Sequence, residues 1–214
     1  MSRKQLYTFL KNFLFSILFE KDPLVLKIEN MNANAFRLVA VSSSLCSTSS
    51  SALFSYKDPL VRTLIWNLKF RKNKHCFELA GEFLYDNLLD FLINDATEQA
   101  IIVPVPLSPK RKRERGYNQT ELLAEEIQKY DKEGRFEIVL NAVKRKDTPS
   151  QTSLSRKERL ANLKGVFIVD SEKIKGKNVI ILDDVITTGA TTAELKTALQ
   201  NAGAKNVEIV ALAH

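Results

Sequence analysis

Two cysteines and two histidines in 214 residues leave few ways to build a metal or disulfide framework. Cys46 and Cys76 stand thirty residues apart, and with His75 and His214 they form no four-ligand zinc pattern at the usual spacings. Both read as isolated reduced thiols of a cytoplasmic protein, and no zinc is expected. Long apolar runs are also missing. A bilayer-spanning helix needs about twenty apolar residues, and the apolar stretch near the amino end is too short for that. Lys11 interrupts it, and no small-residue cleavage site follows before Glu20-Lys21-Asp22-Pro23, so it does not read as a secretory leader. Neither a G-x-G-x-x-G string nor a Gly-Lys-Ser/Thr phosphate loop occurs. Their absence excludes a dinucleotide fingerprint and leaves an ATPase subunit without its nucleotide loop.

What is present suits one enzyme-sized domain. The length is near the upper end of the single-domain range, and 44% hydrophobic residues are enough for a real core. The net charge of +7 is concentrated in two places. Residues 110–115 (KRKRER) carry +4 and residues 144–164 carry +5, so the rest of the chain nets −2. Two focused positive segments suit a polyphosphate ligand and would also serve a nucleic-acid backbone. Aromatic interleaving for base stacking is poor in both, with only Tyr117 nearby.

The amino-terminal part reads differently from the rest. Leu6, Phe9, Leu10, Phe13, Leu14, Ile17 and Leu18 recur at helical spacing and predict an amphipathic helix that docks on the domain or a partner. Residues 42–51 (SSSLCSTSSS) predict a mobile connection or an exposed hairpin tip. Short strands are expected on either side, over Val25–Ile28 and Phe36–Val41. Asp58-Pro59 then marks a helix start, with Leu60, Leu64, Ile65 and Leu68 as its apolar stripe, and a second helix is predicted over 75–93.

Alternation of a parallel α/β sheet follows: a strand over 100–106, a basic loop, a helix from Asn118 to Tyr130 and a strand near Phe136–Leu140. After a long loop, Ser155 and Glu158 form a capping box for a short helix ending at Gly165. Strands are predicted over Val166–Val169, Val179–Leu182 and Val207–Leu212. The chain thus divides into an amino-terminal appendage, 1–57, and one α/β domain, 58–214.

Residues 179–192, VIILDDVITTGATT, are the most informative stretch. Val179–Leu182 is a continuous apolar run suited to a strand covered on both faces. Asp183 and Asp184 fall at its carboxyl end, where ligands of open α/β sheets bind, and two carboxylates there can accept hydrogen bonds from vicinal sugar hydroxyls. Thr187, Thr188, Gly189, Ala190 and Thr191 are small or hydroxylated and open a helix running to about Asn201, so amides and hydroxyls can converge on one phosphate. This string resembles the phosphoribosyl diphosphate (PRPP) signature of type I phosphoribosyltransferases.

Three further segments resemble those of ComF-family proteins, in the same order: SYKDPLVRTLIWNLKF (55–70), VPVPLSPKRKRERGYNQTELLAEEI (103–127) and KRKDTPSQTSLSRKERLANLKGVF (144–167). The resemblance covers about residues 55–214. It implies a type I phosphoribosyltransferase fold, a mostly parallel sheet flanked by helices, in a protein associated with DNA uptake whose enzymatic relatives include amidophosphoribosyltransferases. The implied chemistry is displacement of pyrophosphate from C1 of PRPP by an unidentified nucleophilic acceptor. Asp183 and Asp184 would bind the ribose hydroxyls and residues 187–191 the 5-phosphate. The turn with Ser108, Lys110 and Arg111 would meet pyrophosphate. The long loop with Arg145, Lys146, Arg156 and Arg159 would close over the ligand, Arg156 and Arg159 joining the dyad in catalysis. Magnesium would be bound mainly through PRPP, with no protein ligand directly assigned. Family members commonly carry an amino-terminal four-cysteine zinc module; residues 20–57 retain Cys46 alone, so zinc does not carry over. The alternative reading is a non-catalytic PRPP-sensing adaptor that binds single-stranded DNA or DNA-uptake proteins. Oligomeric state is not legible. Replacing both aspartates by Asn is expected to abolish PRPP affinity with little change in melting temperature.

Overall fold

The computed structural model describes residues 22–40, 46–47, 50–94, 99–146 and 165–214. A six-stranded sheet organises them. It contains β1 (Cys46–Ser47), β2 (Ser50–Phe54), β3 (Ala100–Pro104), β4 (Phe136–Ile138), β7 (Asn178–Val185) and β8 (Asn206–Ala213), in the spatial order β1-β2-β8-β7-β3-β4. Every pairing is parallel except β1 with β2. The chain runs from β3 outward to β4 and then crosses back to place β7 on the other side of β3. The sheet's direction of growth therefore reverses between β3 and β7, the position at which open α/β sheets bind ligands.

The strands are apolar along their length because both faces are covered. All five residues of β3 are buried. On one face Ile102, Ile180, Leu182, Val210 and Leu212 meet α3 (Pro59–Phe70), α4 (Lys74–Asn94) and α6 (Gln119–Tyr130). On the other, Ile101, Val103, Val179, Ile181 and Ile209 meet Leu195 and Leu199 of α8 (Ala190–Asn201) and Ile174 of the one-turn helix α7 (Ser171–Ile174). Helices α4 and α6 approach closely at Gly81, where a Cβ would lie 2.7 Å from Glu126 Cβ.

The amino-terminal part departs from expectation. Residues 25–28 and 36–40 do not form strands: α1 (Pro23–Glu29) and α2 (Ala33–Val39) are helices, and residue 41 lies outside the described residues. Asp22 and Asn32 decide this, each accepting a backbone N–H, from Leu24 and Ala35 respectively, at 2.9 Å. Such caps stabilise a helix by about 1 kcal/mol and outweigh the β-branched content of these short runs. His75 Nε2 bridges the carbonyls of Ile28 and Met31, at 3.1 and 2.9 Å, and fixes the end of α1 against α4. Phe36 of α2, Phe54 of β2 and Phe83 of α4 form an aromatic cluster with centroids 5.2–5.5 Å apart. The expected boundary at residue 57 thus falls just after a strand of the central sheet, and described residues on its amino-terminal side share the main core. The hairpin expected in the Ser-rich stretch is present as β1 paired with β2.

Two further differences lie near the cleft described below. Residues 110–115 are helical: α5 (Pro109–Arg115) has Ser108 as its N-cap and ends at Gly116 with φ +85°. The strand β6 (Phe167–Val169) lies outside the main sheet and pairs antiparallel with β5 (Val143–Arg145) as a two-stranded ribbon. The amphipathic helix over residues 6–18, the capping-box helix at Ser155, and Arg156 and Arg159 lie outside the described residues.

Candidate functional site

A cleft of about 200 Å³ opens at the carboxyl ends of β3 and β7. Its floor is Val105, Pro106 and Leu107 after β3, and Asp183–Thr192 at the end of β7 and the start of α8. Lys69, Arg111, Arg115, Gln119 and Arg145 supply the remaining polar wall. The sheet itself explains the floor: the Val105 amide donates to the Leu182 carbonyl at 2.9 Å, extending the β3–β7 pairing to the rim.

The two aspartates are not equivalent. Asp184 is buried, 3% exposed, and both its oxygens are engaged. Oδ1 pairs with Lys69 Nζ at 3.1 Å, and Oδ2 accepts from Gln119 Nε2 at 2.8 Å. Asp183 is half-buried, and its Oδ1 accepts the Asp184 amide at 2.8 Å. Its other oxygen is left to the cleft. Burial, then the Asp184 charge beside it, pushes the Asp183 carboxyl up to about 7; the Asp184 amide, Lys69 and Arg145 act in the opposite direction.

Residues 187–189 form a loop, and Ala190 and Thr191 begin α8. Gly189 sits at φ +71°, a left-handed conformation that glycine adopts without penalty, and it turns the chain into α8. Its carbonyl accepts from Thr192 Oγ1 at 3.0 Å and from the Ala193 amide at 2.8 Å. The helix has no side-chain N-cap hydrogen bond and no acidic residue in its first turn. Its amino end therefore presents N–H groups and positive dipole to an anion.

Of the residues predicted to meet pyrophosphate or close over the ligand, Arg111 and Arg145 line the cleft, whereas Ser108, Lys110 and Lys146 do not. Ser108 caps α5 instead, its Oγ 3.4 Å from the Arg111 amide. Arg145, in β5, packs over the Phe167 ring at 5.7 Å, and its Nε is buried with no hydrogen-bond partner. Burial, then the like charge of Arg111, pulls its guanidinium below the ordinary value, while Asp183 acts in the opposite direction. An unpaired buried donor is costly, so Arg145 is poised for an anionic acceptor.

Three wall residues have no role in the sequence reading. Gln119 is held by a local network in which Asn118 Nδ2 and Thr120 Oγ1 both donate to the Val105 carbonyl, at 3.2 and 2.9 Å. The polar trio Asn118-Gln119-Thr120 at a helix start was a visible signal for it. Arg115 donates through Nη1 to Gln119 Oε1. Lys69 sits in the last turn of α3, where a lysine reads as an ordinary helix-end cation; only the tertiary fold brings it to Asp184.

The phosphoribosyl transferase domain family matches residues 115–214. Competence protein F of Haemophilus influenzae is 34% identical over 152 residues, 64% of this chain and 64% of that protein. Competence protein ComFC of Bacillus subtilis is 30% identical over 151 residues, 71% of this chain and 58% of that protein. The alignments thus span less than two thirds of these curated relatives' own length. A hypoxanthine phosphoribosyltransferase structure from Staphylococcus aureus is 18% identical, with 63% of this chain and 62% of that chain covered at a TM-score of 0.38. The parallel sheet, the cleft at its reversal and the matched domain together define a type I phosphoribosyltransferase fold. Within that class the chain belongs to the ComF family of phosphoribosyltransferase-like proteins. Among the described residues no helix is long and apolar enough to cross a membrane.

Proposed function

We propose that the chain binds PRPP with magnesium in this cleft and transfers its phosphoribosyl group to a nucleophile, releasing pyrophosphate. The observation that carries this reading is the juxtaposition of the open Asp183 carboxylate with the Thr187–Thr191 loop on one floor, under Arg111 and Arg145. Asp183 would accept from the ribose hydroxyls, with Asp184 holding it in place through its amide. The loop and the amino end of α8 would hold the 5-phosphate. Arg111 and Arg145 would meet pyrophosphate, whose charge grows as the C1–O bond breaks, so their attraction is stronger in the transition state than in the ground state. The acceptor's lone pair forms the new bond to C1, the C1–O electron pair leaves with pyrophosphate, and the acceptor's proton passes to solvent.

The donor set fits magnesium carried by the ligand. Among the described residues no group of three or more His, Cys, Asp or Glu side chains is arranged to hold a metal ion, and Asp184 is taken up by Lys69 and Gln119. A hard cation that keeps mostly ligand and water oxygens needs no more than the Asp183 carboxylate from the protein. Magnesium bound there would supply further neutralisation of the pyrophosphate charge. The names of the relatives, both competence proteins, support a role linked to DNA uptake, and this reading expects a cytoplasmic protein.

Calorimetric titration with PRPP, with and without magnesium, tests the reading. Magnesium-dependent binding that is lost in Asp183→Asn is the expected result. An intact protein that takes up no PRPP in either condition overturns it.

A further inference from the structure

The last turn of α3 is gripped on both sides of Lys69. The closing carbonyls of a helix have no partner inside it, and its end frays unless something outside takes them. Here the Asn67 carbonyl takes the Arg71 amide at 3.1 Å, and that of Leu68 takes the Tyr117 hydroxyl at 2.7 Å. On the other side of Lys69, the Phe70 ring carries the Arg115 guanidinium 5.4 Å from its centroid. Tyr117 is itself held. Its half-buried ring packs against the core, and Lys72 Nζ stands 5.8 Å from its centroid where the chain leaves α3 with φ +50°. Burial pushes its phenol above the ordinary value, while the Lys72 amide and Arg115 act in the opposite direction, so it stays a hydrogen-bond donor at neutral pH.

The same short connection reaches the carboxylate that Lys69 serves. Residues 115–119 lead from the end of α5 into α6, and Gln119 takes Asp184 Oδ2 while Lys69 takes Oδ1. The connection is tied in turn to the end of β3, through Asn118 and Thr120 on the Val105 carbonyl. Gln119 thus holds the carboxylate directly, and Tyr117 holds the ammonium through the helix that carries it. We infer that Tyr117 is a positioning residue of the site, whose hydroxyl keeps the last turn of α3 closed and Lys69 aimed at Asp184. Its consequence for PRPP rests on the transferase reading, whereas its effect on Lys69 rests on geometry alone. A lysine stem is long and rotamer-rich, so the pair persists only while the backbone that bears it is fixed. With the turn open, Asp184 is a buried carboxylate without its cation in the wall of the cleft, and its charge opposes an anionic ligand.

Tyr117→Phe removes the hydroxyl and keeps the ring, which leaves the core packed. In the unliganded full-length protein the Lys69 ammonium is followed by nitrogen NMR, its signal assigned by its absence from Lys69→Met. Lys69→Arg gives the same assignment if Lys69→Met is too unstable to isolate. An ammonium protected from solvent exchange in the intact protein and released to it in Tyr117→Phe is the expected result. PRPP affinity with magnesium, measured by calorimetry, should be about tenfold weaker in Tyr117→Phe, since it falls with the fraction of molecules that have Lys69 in place. Tyr117→Phe combined with the Lys69 substitution should bind no more weakly than the Lys69 substitution alone. A released Lys69 signal in a protein that takes up no PRPP upholds the positioning role and removes the transferase reading. An ammonium that exchanges freely in the intact protein, or is unchanged in Tyr117→Phe, overturns the inference. Losses of affinity that add in the combined variant also overturn it, because Tyr117 would then act by a route other than Lys69.

Discussion

Lys69 Nζ lies 3.1 Å from Asp184 Oδ1 and joins the last turn of α3 to the end of β7. The second carboxylate of the dyad is thus neutralised from within the protein, and Gln119 takes its other oxygen. This divides the labour between two adjacent residues of the same type. Asp184 anchors the site, and Asp183 faces the ligand.

That division revises the expectation that both aspartates can be exchanged at little cost in stability. Removing one partner of a buried ion pair costs about 3–5 kcal/mol, a figure lowered here because Lys69 is partly exposed. Lys69→Met and Asp184→Asn should both lower the urea midpoint, and the double variant should lose less than the sum of the two. Asp183→Asn should leave the midpoint unchanged or raise it. Equal losses in all three single variants would show the dyad to be symmetric after all.

The Asp183 carboxyl, at about 7 against an ordinary 3.8, makes stability depend on pH. Between those values the folded chain holds a proton that the unfolded chain has released, so stability falls as pH rises through that window and levels off above it. Asp183→Asn should flatten this slope. Chemical denaturation of both proteins at pH 5 and pH 8 reads the difference directly, and parallel curves would mean that Asp183 titrates normally.

Gly189 should be replaceable by no residue with a Cβ without loss. A left-handed conformation costs most L-residues about 1–2 kcal/mol. Space is not the obstacle, since a Cβ there meets Ile186 Cγ2 only at 3.9 Å. Gly189→Ala is expected to weaken PRPP uptake by displacing the loop, with Gly189→Asn the milder of the two. Calorimetric affinities for the pair test the ordering.

Arg145→Gln removes a buried, unpartnered donor and one cation of the cleft. In the unliganded protein this should be neutral or slightly stabilising, whereas PRPP affinity should fall by tenfold or more. A variant that loses stability and keeps its affinity would assign Arg145 to packing against Phe167 instead.

Gly81→Ala acts far from the site, at the crossing of α4 and α6. The added methyl would sit 2.7 Å from Glu126 Cβ, so the helices must separate. A cost of about 1–3 kcal/mol is expected from such overpacking, read as a lowered melting temperature with unchanged ligand affinity at low temperature.

Much of this protein was legible in its sequence because local patterns dictate local outcomes. Apolar runs marked a strand over 100–106, observed as Ala100–Pro104, and one over 179–182 covered on both faces, and Asp58-Pro59 marked the start of α3. The order strand, paired aspartates, small-residue loop and helix placed Asp183, Asp184 and residues 187–191 together, since neighbours in sequence at a strand end cannot be far apart in space. Residues 25–28 and 36–39 read as strands in the sequence but are helical, because two side-chain caps, at Asp22 and Asn32, outweigh the apolar β-branched pattern. Residues 110–115 were read as a loop because their charge pattern has no apolar stripe, yet the Ser108 cap and Gly116 terminator suffice for two turns.

The long-range choices belonged to the tertiary structure alone. Nothing local says that Lys69 and Gln119 meet at Asp184, that Arg145 reaches the cleft while Lys146 does not, or that Phe70 borders Arg115. These relations depend on how α3, α6 and the β5–β6 ribbon pack across a sheet whose strands come from distant parts of the chain. The sequence determined which chemical groups stand at the end of β7; packing decided which of them are already satisfied and which remain open to a ligand.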